Sequence, residues 1–188
     1  MTTSDVKEKS FTTRHAAALG LSAVAAATAV WVEAQARRAE RDNPPMGKFI
    51  YMDGTRVHYV MRGSGPPVVL LHGNNVTSAD FEASGLFDRL ARNHQVIAFD
   101  RPGFGHSSRP RNRFWTPAAQ AALLRRALAG LGIERPVVVG HSMGTMVALA
   151  MALDFPGSVS ALVLAGGYFY AGPTGCNVDR AGGAASVG

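Results

Sequence analysis

The sequence predicts an α/β fold, a mainly parallel sheet with flanking helices, and three observations predict it. Short apolar runs at 68–71 (VVLL), 95–99 (QVIAF) and 136–139 (PVVV) are continuous rather than alternating, as strands buried on both faces must be. Segments of helical length and spacing separate them. Two alternating strands at 48–52 and 55–62 come first, joined by Asp53-Gly54, a dipeptide suited to the positive φ of a tight hairpin turn.

The elements follow in order. The loop 63–66 (GSGP) leads into the strand at 68–71. It lacks the continuation of a dinucleotide or P-loop motif, so it is an ordinary connection and no phosphate cradle. Residues 80–91 place Phe81, Leu86 and Leu90 at helical spacing and predict one helix. The strand 95–99 runs into the loop DRPGFGHS, where Asp100 is expected to order the turn through side-chain-to-backbone bonds. Thr116 and Pro117 open a helix reaching about Leu131, with Thr as N-cap and Pro at the first helical position. A strand at 136–139, a helix at 143–155 and a sixth strand at 159–164 complete the pattern.

Composition narrows the function. The chain has 188 residues, 47% hydrophobic and 17% charged, enough for one domain plus an extension and too apolar for wholesale disorder. A lone Cys176 excludes a disulfide framework, and no CxxC or HExxH spacing offers a metal site. No cofactor is expected. The net charge is +6, and 16 of the 19 basic residues are arginines. They are scattered, with one small knot at Arg109, Arg111 and Arg113, so nucleic acid is not expected as a partner.

Residues 1–45 read as a separate segment. The uncharged run 16–32 is preceded by Lys7, Lys9 and Arg14 and followed by Glu33, Arg37, Arg38 and Arg41. As a helix it spans about 26 Å, the short end of a membrane crossing. A single N-terminal membrane anchor is the favoured reading. A cleavable signal leaving a periplasmic or secreted protein is the alternative, since Ala34-Gln35-Ala36 fits the small-x-small pattern. A soluble Ala-rich helix is the third. Basic residues are balanced across the run, so orientation is not assigned. Asn43-Pro44-Pro45 ends any helix there.

Chemistry enters at Gly140-His141-Ser142-Met143-Gly144. G-x-S-x-G alone is weak, but here it lies between VVV and a helix, the strand–turn–helix setting of a nucleophile elbow. The helix N-terminus behind Ser142 supplies unpaired N–H groups where an oxyanion would form. A second anchor, Leu71-His72-Gly73-Asn74, directly follows the strand 68–71. Gly73 lets the backbone turn so that the Asn74 N–H can point into the site. His72 reads as a loop-packing histidine, and Met143, Met146 and Met151 as helix core or site lining.

With HGN, DRPGFGHS and GHSMG in that order, the chain resembles an α/β-hydrolase over roughly residues 48–170. The similarity implies Ser142 as nucleophile, the backbone N–H groups of Met143 and Asn74 as oxyanion hole, and a small acyl compound as substrate. It also implies that His141 points away from the site. The pattern is closest to the lipase, esterase, epoxide-hydrolase-like and cofactor-free haloperoxidase-like branches, while serine at the elbow argues against dehalogenase or epoxide-opening chemistry, whose families use a carboxylate there. Asn74 sits where dehalogenases bind halide, but Met143 stands where they carry Trp.

The family order is Ser, then acid, then His. After Ser142 this sequence has no histidine, and its carboxylates are Asp154 and Asp179. Asp154 falls near the end of the helix behind the nucleophile, and Asp179 lies in the tail 171–188, which does not resemble the family. The expectation is therefore residues 46–170 as the N-terminal part of an α/β-hydrolase core, truncated after about the sixth strand and inactive as this chain. A catalytically inactive, membrane-tethered protein is the competing expectation.

Overall fold

The computed structural model describes residues 3–167, with side chains from residue 18 onward. The tail 171–188 lies outside the described residues. The chain divides into two compact units, Met1–Pro45 and Met46–Gly188.

The first unit is one helix, α1 (Thr3–Asp42). Its 40 residues reach about 60 Å, and the uncharged run sits in its middle. The part Ala18–Asp42 is long and apolar enough to cross a membrane, and it is exposed along its length. Its last turns carry the i,i+4 pairs Glu33–Arg37 and Arg38–Asp42. The helix stops at Asp42, just ahead of Pro44 and Pro45, which cannot continue its hydrogen bonds.

The second unit is a six-stranded sheet. In chain order its elements are β1 (Lys48–Met52), β2 (Thr55–Arg62), β3 (Pro67–Leu71), α2 (Ala79–Ala83), α3 (Leu86–Leu90), β4 (Gln95–Phe99), α4 (Pro117–Gly130), β5 (Val137–His141), α5 (Met143–Asp154) and β6 (Ala161–Ala165). The order across the sheet is β1-β2-β4-β3-β5-β6. The first two strands are antiparallel and the other four parallel. At the hairpin turn both Asp53 (φ 50°) and Gly54 (φ 72°) adopt the positive φ that the dipeptide predicts.

The continuous apolar strands are explained by a core on each face. Val69 and Leu71 of β3, with Ile97 and Phe99 of β4, pack with Leu123, Leu124 and Ala127 of α4 and Val147, Ala148 and Met151 of α5. Their neighbours Val68, Leu70, Val96 and Ala98 face Phe81 of α2 and Phe87 of α3. Successive side chains on a strand point to opposite faces, so neither face could be polar. β6 differs: it is the last strand of the described sheet, and Val163 is half exposed.

One expected element is corrected. Residues 80–91 form two short helices, α2 and α3, because Gly85 between them takes a left-handed conformation (φ 71°) that no helix interior tolerates. The remaining elements of this unit fall within two residues of their predicted bounds.

α4 begins as its sequence dictates. The Thr116 hydroxyl accepts from the Ala119 N–H at 3.1 Å, and Pro117 occupies the first turn. Thr116→Ala is expected to destabilise the domain by about 1 kcal/mol. Urea unfolding followed by circular dichroism measures it, and an unchanged midpoint would show that the cap contributes nothing.

Candidate active site

The site lies at the carboxyl ends of the parallel strands. Gly140 of β5 pairs with Leu71 of β3 on one side and Leu164 of β6 on the other. Two residues further on, Ser142 turns the chain from β5 into α5. Its backbone stands at φ 50° and ψ −119°, a region that costs an L-residue of order 1–3 kcal/mol and persists only where its surroundings enforce it.

Those surroundings are visible. The Ser142 N–H donates to the carbonyl of Ala165 in β6 at 2.8 Å, and its own carbonyl accepts from the N–H and hydroxyl of Thr145. The flanking glycines are required by contact. A Cβ on Gly140 would lie 2.6 Å from the Gly144 carbonyl oxygen, and one on Gly144 would lie 2.0 Å from that of Leu71. No side chain fits at either position, so the elbow can close against the end of β3.

Met143 opens α5, where the first N–H groups precede the intrahelical ladder. The loop after β3 comes close to the same point. A Cβ on Gly73 would stand 3.0 Å from Ser142 Cβ, so the chain leading to Asn74 runs alongside the nucleophile candidate. The structure thus brings Ser142, Met143 and the Gly73-Asn74 loop to one place. His141 departs from its expected orientation. Its Nδ1 lies 3.4 Å from the position of a Gly73 Cβ, so the ring leans over the bare backbone of Gly73 instead of away from it.

The loop after β3 is held by a residue that sequence reasoning left among scattered arginines. Arg101 is 1% exposed. Its guanidinium donates to the carbonyls of His72 (2.8 Å) and Gly73 (3.0 Å), to Asn74 Oδ1 (3.0 Å) and to Gln120 Oε1 (3.0 Å). It also lies over the Phe104 ring at 4.6 Å. Burial lowers its pKa to about 10, which still leaves it charged at neutral pH. The available signal was its place directly after the Asp that closes a buried strand.

His72 and Asp100 complete the frame. His72 Nδ1 pairs with the Gly73 carbonyl at 2.7 Å, while Nε2 accepts the Arg101 N–H at 3.0 Å. That pair of bonds requires the neutral imidazole with its proton on Nδ1. Burial, opposed in part by the bond to Gly73, lowers its pKa to about 4. It is a loop-packing group, as expected. Asp100 is also buried, which by itself raises its pKa. Bonds from His58 Nδ1 (2.9 Å) and from the N–H groups of His106 (3.0 Å) and Ser78 (2.9 Å) outweigh that and hold it at about 2. Its side chain orders the loop, as the sequence suggests. No cluster of metal-ligating side chains occurs among the described residues.

A strained serine between two obligatory glycines, on a strand–helix turn at the carboxyl edge of a parallel sheet, defines the class of protein. A sequence model of the alpha/beta hydrolase fold matches residues 66–176, and the chain belongs to that family. It is similar to the uncharacterized protein Rv2715 of Mycobacterium tuberculosis, with 40% identity over 64% of this chain and 35% of the relative. It is also similar to the 2-hydroxymuconate semialdehyde hydrolase of Pseudomonas putida, with 34% identity over 68% of this chain and 46% of that enzyme. Among solved structures, Cfl2 of Burkholderia cenocepacia superposes with a TM-score of 0.61 at 32% identity, over 64% of this chain and 41% of Cfl2. The chain therefore spans between a third and a half of the length of these relatives.

The two buried groups set an acid limb. His72 ionises at 6.5 when unfolded and about 4 when folded, so its contribution is complete above pH 6.5 and lost as pH falls to 4. Asp100 contributes fully above pH 3.8 and loses its contribution as pH falls towards 2. Stability should drop between pH 6.5 and 4 by on the order of 3 kcal/mol through His72. Thermal melts across this range should show a flatter profile for His72→Gln, and parallel profiles would refute the assignment.

Proposed function

We propose that this chain carries the nucleophile and the oxyanion hole of a serine hydrolase acting on esters or related acyl compounds. The observation that carries this reading is the backbone of Ser142, strained at φ 50° on the β5–α5 turn. A serine held there offers its hydroxyl on the outer side of a tight turn with the α5 N-terminus behind it. Attack of Oγ on an acyl carbon would develop negative charge on the carbonyl oxygen. The N–H groups of Met143 and Asn74 are the donors assigned to it, with Arg101 fixing the Asn74 side of the pair. Collapse of the resulting intermediate would break the bond to the leaving group, which departs with the proton from the serine hydroxyl. Water would then hydrolyse the acyl-enzyme to release the acid and restore the serine.

The general base is assigned to the part of such a hydrolase that these residues do not cover. No histidine follows Ser142 in the sequence, and both nitrogens of His72 are committed to the loop. The 188-residue chain should therefore turn over p-nitrophenyl acetate no faster than its Ser142→Ala variant. Fused to the acid- and histidine-bearing C-terminal segment of a longer relative, it should gain turnover and fluorophosphonate labelling at Ser142. In that fusion Ser142→Ala should cost on the order of 10⁶ in kcat. Turnover that survives Ser142→Ala would overturn the reading. A folded fusion that never labels would favour a catalytically inactive, membrane-tethered protein instead.

We further propose that α1 anchors the protein in a membrane through its uncharged run. The run is mostly alanine, so its insertion is weakly driven. Full-length protein should sediment with membranes and resist carbonate extraction, and deletion of residues 1–40 should release it. Recovery of the full-length chain wholly in the soluble fraction would contradict the anchor, and a new N-terminus after residue 36 would identify a cleaved signal.

A further inference from the structure

We infer that the loop 109–114 and the β1–β2 hairpin together form a docking surface for an anionic phospholipid bilayer, separate from α1 and independent of its insertion. Between Asp100 and Glu134 the sequence has six arginines and no carboxylate. Arg101 is consumed in the core, whereas Arg109 and Arg111 are exposed and Arg113 and Arg126 are partly so. The fold gathers these with the hairpin. Arg113 donates to the Asp53 carbonyl at 3.2 Å, Arg126 pairs with the Asp53 carboxylate, and Arg56 donates to the His106 carbonyl at 3.3 Å. Asp53 is thus the carboxylate that meets the cluster, and it offsets one charge among five.

The patch is also apolar where a water-facing patch need not be. Phe114 is 90% exposed, and Tyr51, directly opposite Arg56 in the hairpin, is 70% exposed. Arginines interleaved with exposed aromatic rings suit the headgroup region, where guanidinium groups meet lipid phosphates and rings enter the acyl boundary. Nucleic acid would use the same charge, but exposed rings on a protruding loop gain most from an apolar phase. The hairpin turn packs on the C-terminal half of α4, where Met52 and Ile50 lie against Gly130 and Asp53 pairs with Arg126.

The test uses the full chain with Cys176→Ser and a nitroxide on Asn112→Cys, on vesicles of phosphatidylcholine with and without phosphatidylserine. The label should become shielded from a water-soluble paramagnetic reagent on the anionic vesicles, and high salt should reverse this. Arg111→Gln should weaken anionic-vesicle binding about fivefold, and Phe114→Ser should reduce shielding further. A label equally accessible on both vesicles overturns the proposal. So does shielding that persists in the Arg111→Gln, Phe114→Ser double variant, or shielding by an RNA oligonucleotide but by neither vesicle. None of these readouts depends on Ser142, so failure here is distinguishable from failure of the hydrolase reading.

Discussion

The geometry of the site depends on the buried guanidinium of Arg101. It meets oxygen acceptors that are all neutral, two of them backbone carbonyls of the loop after β3. Removing a charge from water costs several kcal/mol, and a fan of hydrogen bonds recovers that only if every acceptor is in place. The loop's conformation and the arginine's burial are consequently one condition. The neighbouring Asp100 faces a different set of partners, gripping Ser78, His106 and His58. Two consecutive residues of β4's exit thus clamp the loop after β3 and their own loop, from opposite charges that do not pair with each other.

The elbow imposes a second condition, and it is steric. Ser142 can be strained because Gly144 abuts the carbonyl of Leu71 and Gly140 abuts Gly144, which leaves no room for the chain to relax. The hydrogen bond from Ser142 to Ala165 extends that requirement to β6. The turn is therefore braced by β3 on one side and β6 on the other. Close-packed neighbours transmit small shifts instead of absorbing them, so the position of Ser142 is sensitive to how firmly the half-exposed strand β6 is held.

Much of this was legible in the sequence, for identifiable reasons. Continuous apolar runs mean strands buried on both faces, and here each has a helix-borne core on either side. Asp53-Gly54 and Thr116-Pro117 carry local chemistry that few conformations satisfy. Residues 80–91 misled because helical spacing outlasts a single left-handed glycine, and Gly85 weighs little against three well-placed apolar side chains. Arg101 was hidden for a different reason. Its role lies in what surrounds it, a set of carbonyls from 28–29 residues earlier and a glutamine from 19 residues later, and an arginine in a basic sequence gives no local sign of being buried. His141 was misjudged because the space above Gly73 exists only once the two loops meet.

The same geometry explains why the described site is one-sided. A base for Ser142 needs an imidazole with one nitrogen free to accept the hydroxyl proton and the other oriented by a partner. His72 fails because both nitrogens already serve the loop, and protonating it would break the bond it accepts from Arg101. His58 has Nδ1 oriented by Asp100, but it is buried in β2 with β4 and β3 between it and β5, and its Nε2 faces Gly47. What β3, β4, β5 and α5 bring together is Ser142, the N-terminus of α5 and the backbone of the Gly73-Asn74 loop. In the strand order β1-β2-β4-β3-β5-β6, the flank of β5 away from the Arg101 clamp is the flank of β6, and under the proposed hydrolase reading that is the side from which an acid and a histidine would reach Ser142.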